Sequence, residues 1–302
     1  MARASGGSGR VTRTRRSLTA PALGIIGHLD RLDRPAERLA ATVRRLVPAG
    51  RVKDGLSGSW LGHAVHPMLV VVPIGSWTGV AVLDLVRGRE GARSSEVLIA
   101  LGVAGAVPAV VTGVSDWAES ERRRSEVRRI GLLHGATNST ALALHAASLV
   151  QRRRGRHAAG VRLARGGFCV LTVGDWLGGH LAFAQGVGVN RAAFDEAPRD
   201  WTRVLDAERL GDRQPVKAVA DDAHLVLVRY DGAIYALANR CSHCGGSLSR
   251  GRVVAGAIQC PLNDTRFRLS DGAIVLGPSA YPQATFEARE REGHIEIRTR
   301  PS

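Results

Sequence analysis

Near the C-terminal end, Cys241-Ser-His243 is followed, after sixteen intervening residues, by Cys260-Pro-Leu-Asn263. A Cys-x-His pair and a later Cys-x-x-His pair on two facing loops can hold a two-iron, two-sulfide cluster, with thiolates on one iron and imidazoles on the other. Cys241, His243 and Cys260 supply three of those four donors. The fourth position carries Asn263, whose neutral amide oxygen is a poor donor to iron. Cys244 adjoins His243, so three cysteines and a histidine gather in one segment. That reads as a metal site rather than a disulfide framework. Cys169 lies in an apolar stretch and reads as a small buried hydrophobe.

The elements that must position these residues are short and β-rich. From about residue 214 the runs VKAVA, HLVLVRY, AIYALANR, VVAGAIQC, RFRLS, AIVL, ATFEARE and HIEIRT follow one another. Asp231-Gly232, Asp271-Gly272 and Glu292-Gly293 punctuate them as turns. The spacing predicts an all-β sandwich or barrel-like domain. Residues 191–213 are polar, contain Pro198, and suit a linker.

The stretch RYDGAIYALANRCSHCGGSLSRGRV, continuing through GAIQCPLNDTRFRLSDGAIVLGPSAYP, resembles a Rieske 2Fe–2S domain over residues 214–302. Cys241, His243 and Gly245 match the first ligand loop of that family; Cys260, Pro261 and Phe267 match the second. Gly277-Pro278-Ser279 resembles the proline loop that shields the cluster. The resemblance implies a 2Fe–2S cluster held by Cys241, His243 and Cys260, with Asn263 at the usual fourth-ligand position. It also implies electron transfer with an oxidoreductase partner. Three outcomes stay open at Asn263. Cys244 or Asp264 substitutes for the missing histidine; Asn263 or water completes a labile site; or the fold is degenerate and binds no cluster.

The middle of the chain is apolar. Segments 64–86, 97–117, 130–150 and 166–187 each reach the ~20 residues needed to cross a membrane. Compact arginine-rich loops separate them, and Gly and Ala recur where helix backbones would approach closely. The expected architecture is multidomain: an all-α four-helix transmembrane bundle over 63–190, followed by the all-β Rieske-type domain. Residues 1–35 read as a disordered basic tail without an apolar signal-peptide core, Arg15-Arg16 being only a weak twin-arginine motif. Residues 36–62 read as an amphipathic interfacial segment, with Leu39, Val43, Leu46 and Val47 on one face of a helix. The block over 50–190 is similar to uncharacterised bacterial four-helix membrane proteins with a Gly-His-x-x-His-Pro opening, here Gly62-His63-Ala-Val-His66-Pro67.

Ionisable groups within apolar spans are costly and point to function. His66, His134 and His180 are candidate haem ligands or quinone contacts, with Asp84, Asp116 or Asp175 behind them; the bland alternative is hydrogen bonding between helices.

The net charge of +15 first suggests nucleic acid, but residues 202–302 hold 14 Lys and Arg against 12 Asp and Glu. The excess surrounds the apolar middle instead, where basic residues flank spans. The expected partners are membrane lipids and an unidentified redox protein, with no nucleic acid. The expected location is the cell membrane, multi-pass, with the β domain on the cytoplasmic face. A terminal oxygenase subunit is disfavoured, since bundle and β domain occupy the chain and leave no second catalytic domain.

Overall fold

The computed structural model describes residues 20–120, 124–195 and 197–300. The helices are α1 (Ala20–Gly27), α2 (Asp33–Leu46), α3 (Arg51–Ser57), α4 (His66–Leu69), α5 (Val71–Val86), α6 (Ala92–Ser120), α7 (Ser125–Arg153) and α8 (His157–Gly179). A short π-helix, His180–Ala184, extends α8. All four apolar segments are therefore helical. Helix α5 packs on α6, α6 on α7, α7 on α8 and α8 on α5, which closes a four-helix bundle.

Among the described residues, three helical stretches are long and apolar enough to cross a membrane: His66–Val86, Ala92–Ser120 and His157–Ala184. Helix α7, which contains the expected third span, is less apolar. His134, Thr137, Asn138, Ser139, Thr140, His145 and Ser148 interrupt its hydrophobic run.

Small residues set the bundle spacing. A Cβ on Gly102 of α6 would stand 2.3 Å from Trp77 Nε1, so only glycine lets that indole lie against the α6 backbone. Trp77 in turn stacks on His145 of α7, ring centroids 4.1 Å apart and planes at 7°. Deeper polar groups are matched. Arg152 of α7 forms a buried ion pair with Asp84 of α5, Nη1 lying 3.0 Å from Oδ1, and Ser95 donates to the same oxygen at 3.1 Å. A buried pair is stable only when its lone pairs and protons are satisfied in this way.

The N-terminal expectation needs correction from Ala20 onward. The expected tail forms α1, a 3-10 turn at Asp30–Leu32 and the start of α2; residues 1–19, with Arg15-Arg16, lie outside the described residues. Arg129 of α7 holds this segment through Asp33, with Nε 2.9 Å from Oδ1, and through the carbonyl of Gly27. Within α2 the buried face is Ala36 and Ala40, packed on α6 and α7, whereas Leu39 and Leu46 are exposed. Small side chains give the closest approach to neighbouring helices, so the larger apolar residues are left pointing outward. Cys169 is likewise exposed rather than buried. The inward face of α8 runs through Ala164, Gly167, Leu171 and Gly174, and Cys169 lies off it.

The C-terminal part has ten strands: β1 (Thr202–Asp206), β2 (Val216–Ala220), β3 (Ala223–Tyr230), β4 (Ala233–Ala238), β5 (Arg252–Val254), β6 (Ala257–Gln259), β7 (Arg266–Arg268), β8 (Ile274–Leu276), β9 (Thr285–Arg291) and β10 (His294–Arg298). A six-stranded sheet runs β1-β10-β9-β4-β3-β2, and a four-stranded sheet runs β5-β6-β7-β8. Alternate residues of β3 face two cores. Leu225 and Leu227 enter one with Ile295 and Ile297; Val226 and Val228 enter the other with Leu248, Ile258 and Phe267.

Two strand expectations change. The linker expected over 191–213 contains β1, which pairs antiparallel with β10. Its short run, with a register shift between Arg203 and Leu205, hides the alternation. The run VVAGAIQC is not one strand but the hairpin β5–β6, turned at Ala255 and Gly256, both with positive φ. Positive φ at both central residues matches the twist of a tight hairpin.

Candidate metal centre

Two loops meet at one end of the small sheet. The first, between β4 and β5, carries Cys241, His243 and Cys244; the second, between β6 and β7, carries Cys260 and Asn263. The first loop closes on itself, Cys241 N–H donating to Gly246 O at 2.8 Å and Gly245 N–H to Cys241 O at 2.7 Å. In the second, Cys260 N–H donates to Thr265 O at 2.8 Å.

Gln283 fastens the first loop to the large sheet. Its buried Nε2 donates to Ala238 O and Arg240 O, each at 2.7 Å, and its Oε1 accepts from Ser242 N–H at 2.9 Å. The Gly277-Pro278-Ser279 loop touches both ligand loops: a Cβ on Gly277 would stand 2.7 Å from Thr265 Cα, and Ser279 Oγ lies 3.4 Å from Ser242 Oγ. Ser279 is buried and donates to Tyr281 O at 2.8 Å, the same oxygen that accepts from Ser242 Oγ at 2.9 Å.

Of the four residues expected at the site, the structure brings Cys241 and Cys260 together, joined by Cys244, and sets His243 against Asn263. Cys241 and Cys260 are fully buried, and their Sγ atoms, with that of Cys244, lie within 4.8 Å of one another. Cys244 Sγ is 3.4 Å from Cys260 Sγ. Asn263 Nδ2 donates to His243 Nδ1 at 2.6 Å, while Asn263 Oδ1 accepts from Thr265 N–H at 3.1 Å. The amide is thus committed at both ends.

Close thiols share their protons unequally. Hydrogen bonds from Cys241 and then Cys260, reinforced by Gly246 N–H, pull the Cys244 thiol strongly down. The Cys241 thiol rises through its contacts with Cys244 and Cys260 and through burial. The resulting negative charge lies next to Arg191, whose Cδ would stand 3.1 Å from a Cβ on Gly245.

The site faces the helical part of the chain. Arg191 N–H donates to Ser242 O at 2.8 Å, and Tyr281 Oη donates to Gly188 O at 2.8 Å. Gly277 N–H donates to Asp54 Oδ1 of α3 at 3.3 Å.

The histidines of the bundle have local partners. His66 Nδ1 lies 2.9 Å from Ala109 O, and His134 Nδ1 lies 2.9 Å from Gly174 O, each reaching a carbonyl of a neighbouring helix. His180 stacks on Trp176 at 6.1 Å. The first two are hydrogen bonds between helices, made through Nδ1 alone.

Two facing loops with paired buried cysteines, beneath a proline loop on an antiparallel β fold, define a Rieske-type iron–sulfur domain. The chain belongs to the Rieske [2Fe-2S] domain family through residues 200–287, and residues 62–191 match the family described as Predicted membrane protein (DUF2231). Among curated relatives, the 3-phenylpropionate/cinnamic acid dioxygenase ferredoxin subunit of Photorhabdus laumondii is 34% identical over 74 residues, 24% of this chain and 70% of the relative. The anthranilate 1,2-dioxygenase ferredoxin subunit of Burkholderia cepacia is 24% identical over 98 residues, 32% of this chain and 91% of the relative. Among solved structures, the ferredoxin of carbazole 1,9a-dioxygenase from Nocardioides aromaticivorans is 26% identical with a TM-score of 0.32, covering 33% of this chain and 98% of that one. Homology to ferredoxin subunits of dioxygenases supports electron transfer as the role of the β domain.

A Rieske domain implies a 2Fe–2S cluster, and the donors present test that implication. Buried thiols at Cys241 and Cys260 fit one iron, and His243, on the same loop as Cys241, is the imidazole available to the other. The second imidazole is absent, and Cys244 adds a thiol that the expected pattern does not contain. The set therefore fits an iron–sulfur group, with more sulfur and less nitrogen than two cysteines and two histidines would give.

Proposed function

We propose that the chain is a membrane-anchored Rieske-type iron–sulfur protein that carries electrons to or from a partner oxidoreductase. The observation that carries this reading is the convergence of the Cys241 and Cys260 thiols, both fully buried, under the Gly277-Pro278-Ser279 loop. A bound iron–sulfur cluster supplies one-electron chemistry. The chain's own residues hold and insulate it. Cys241 and Cys260 bind one iron and His243 the other, and Phe267, Leu248 and Ile258 keep water from the inner side. His243, half-buried at the rim, is the path by which an electron leaves.

The bundle anchors this centre at a bilayer. Helices α5 to α8 cross the membrane four times in this reading, with lipid against the exposed Val82, Leu85, Val97 and Leu101, and with the β domain on the cytoplasmic side. By analogy with the ferredoxin relatives, the partner is an oxygenase or another oxidoreductase component.

Purification in detergent, with iron and acid-labile sulfide assays and an EPR spectrum of the reduced protein, tests the reading. Two irons and two sulfides per chain with a reduced-state signal are expected; neither metal nor sulfide would sink it. One observation favours a second reading, a membrane-tethered interaction domain without a cluster. The Asn263 amide is spent on His243 and Thr265, which gives the second loop its shape without metal. Wild-type protein that folds and unfolds identically with and without iron would select that second reading.

A further inference from the structure

We propose that Cys244 is a metal ligand, the third thiolate of an iron–sulfur centre completed by Cys241, Cys260 and His243. This rests on the electron-transfer reading above and replaces its missing second imidazole with sulfur. Three residues are available to fill the fourth position, and their geometry separates them. The end of the Asn263 amide that faces His243 is Nδ2, which has no lone pair for iron, while Oδ1 turns to Thr265 N–H. Asp264 is exposed and its Oδ1 accepts from Gln259 Nε2 at 2.6 Å, which turns the carboxylate away from the thiols. Cys244 turns inward, with Sγ 3.4 Å from Cys260 Sγ and all three sulfurs within 4.8 Å of one another.

The loop is built to keep Cys244 there. Gly246 N–H donates to Cys244 Sγ at 3.3 Å, as backbone donors do to sulfur in iron–sulfur sites. Leu262 closes over the same turn, its Cδ1 2.8 Å from where a Cβ on Gly246 would stand. A third thiolate adds negative charge, and Arg191 lies beside the loop to balance it. Its guanidinium is fixed by Gln185 O at 2.9 Å and by Gly186 O. More thiolate and less imidazole lowers the reduction potential relative to a two-histidine centre.

The test uses the full chain in detergent, with iron and sulfide content, visible spectrum and reduction potential as readouts. Cys244→Ala is expected to lower iron per chain at least tenfold, while Cys169→Ala, outside the site, leaves it unchanged. Circular dichroism checks that the β domain still folds. In the double variant Cys244→Ala with Asn263→His, iron is expected to return at a higher potential. That recovery would not follow if Cys244 served only to pack the loop. Cys244→Ala holding as much iron with the wild-type spectrum overturns the ligand assignment alone, as does a Cys244–Cys260 disulfide in the isolated wild type. Wild-type chain free of iron overturns the electron-transfer reading and the assignment together.

Discussion

The Asn263 amide donates to His243 Nδ1 at 2.6 Å, so the residue standing where a second imidazole is expected binds the imidazole that remains. The neighbouring Asn263 Oδ1 holds Thr265 N–H. Substituting histidine would remove the Nδ2 donor that engages His243 and supply an imidazole nitrogen in its place. Asn263→His is therefore expected to keep two irons and two sulfides per chain and to shift the reduced EPR spectrum toward that of a two-histidine centre, at a higher potential. An unchanged spectrum and potential would show that this loop position does not face the metal.

Gln283 ties the first ligand loop to the large sheet through three hydrogen bonds. Gln283→Leu leaves Ser242 N–H and two carbonyls without their partner in a buried place. The expected loss is about 1–3 kcal/mol of β-domain stability. Because Ser242 lies between Cys241 and His243, iron should also leave faster in the presence of a chelator. Chelator-dependent bleaching and thermal unfolding measure the two effects separately.

Asp84 and Arg152 form a buried pair across α5 and α7. Removing one partner strands the other, so Asp84→Ala is expected to cost about 3–5 kcal/mol of bundle stability. Replacing both, Asp84→Leu with Arg152→Met, should recover most of that loss, since the uncompensated charge disappears. Unfolding in detergent across the two single variants and the double variant gives the comparison; additive losses would contradict it.

Asp271 ends the β7–β8 connection, accepting from Ala273 N–H at 2.9 Å and pairing with Arg268 at 2.7 Å. The Ala273 hydrogen bond, and then the Arg268 charge, hold its carboxyl below the usual 3.8. A folded pKa below the unfolded one contributes stability above the unfolded pKa, and that contribution is lost as pH falls through the folded value. Asp271→Ala should thus be less stable than wild type by about 0.5 kcal/mol near neutral pH, a small figure because the pair is exposed. The gap should close below about pH 3.8, read from unfolding midpoints across an acid series.

Much of this architecture is written locally. Strands β3 and β4 are continuous apolar runs, β9 and β10 alternate, Gly-containing turns punctuate them, and the cysteine spacing marks both loops. What could not be read depends on contacts across the fold. The direction of Cys244 follows from Gly246 N–H and the Leu262 cover, neither of which has a pattern in one dimension. Strand β1 escapes notice because it exists only by pairing with β10, ninety-odd residues away. The buried face of α2 is hidden from the sequence for a related reason. Large apolar residues suggest burial, but close helix contact selected Ala36 and Ala40. The bundle histidines were legible as unusual, whereas their carbonyl partners at Ala109 and Gly174 required the packed helices.

The contacts of Arg191 with Ser242, Tyr281 with Gly188, and Gly277 with Asp54 tie the first loop and its cover to the segment after α8 and to α3. Carriers that work by swinging between docking stations need a loose hinge at this point. Here the hinge is clasped on both sides. In the electron-transfer role proposed above, these hydrogen bonds leave delivery to the partner rather than to a swing of the domain.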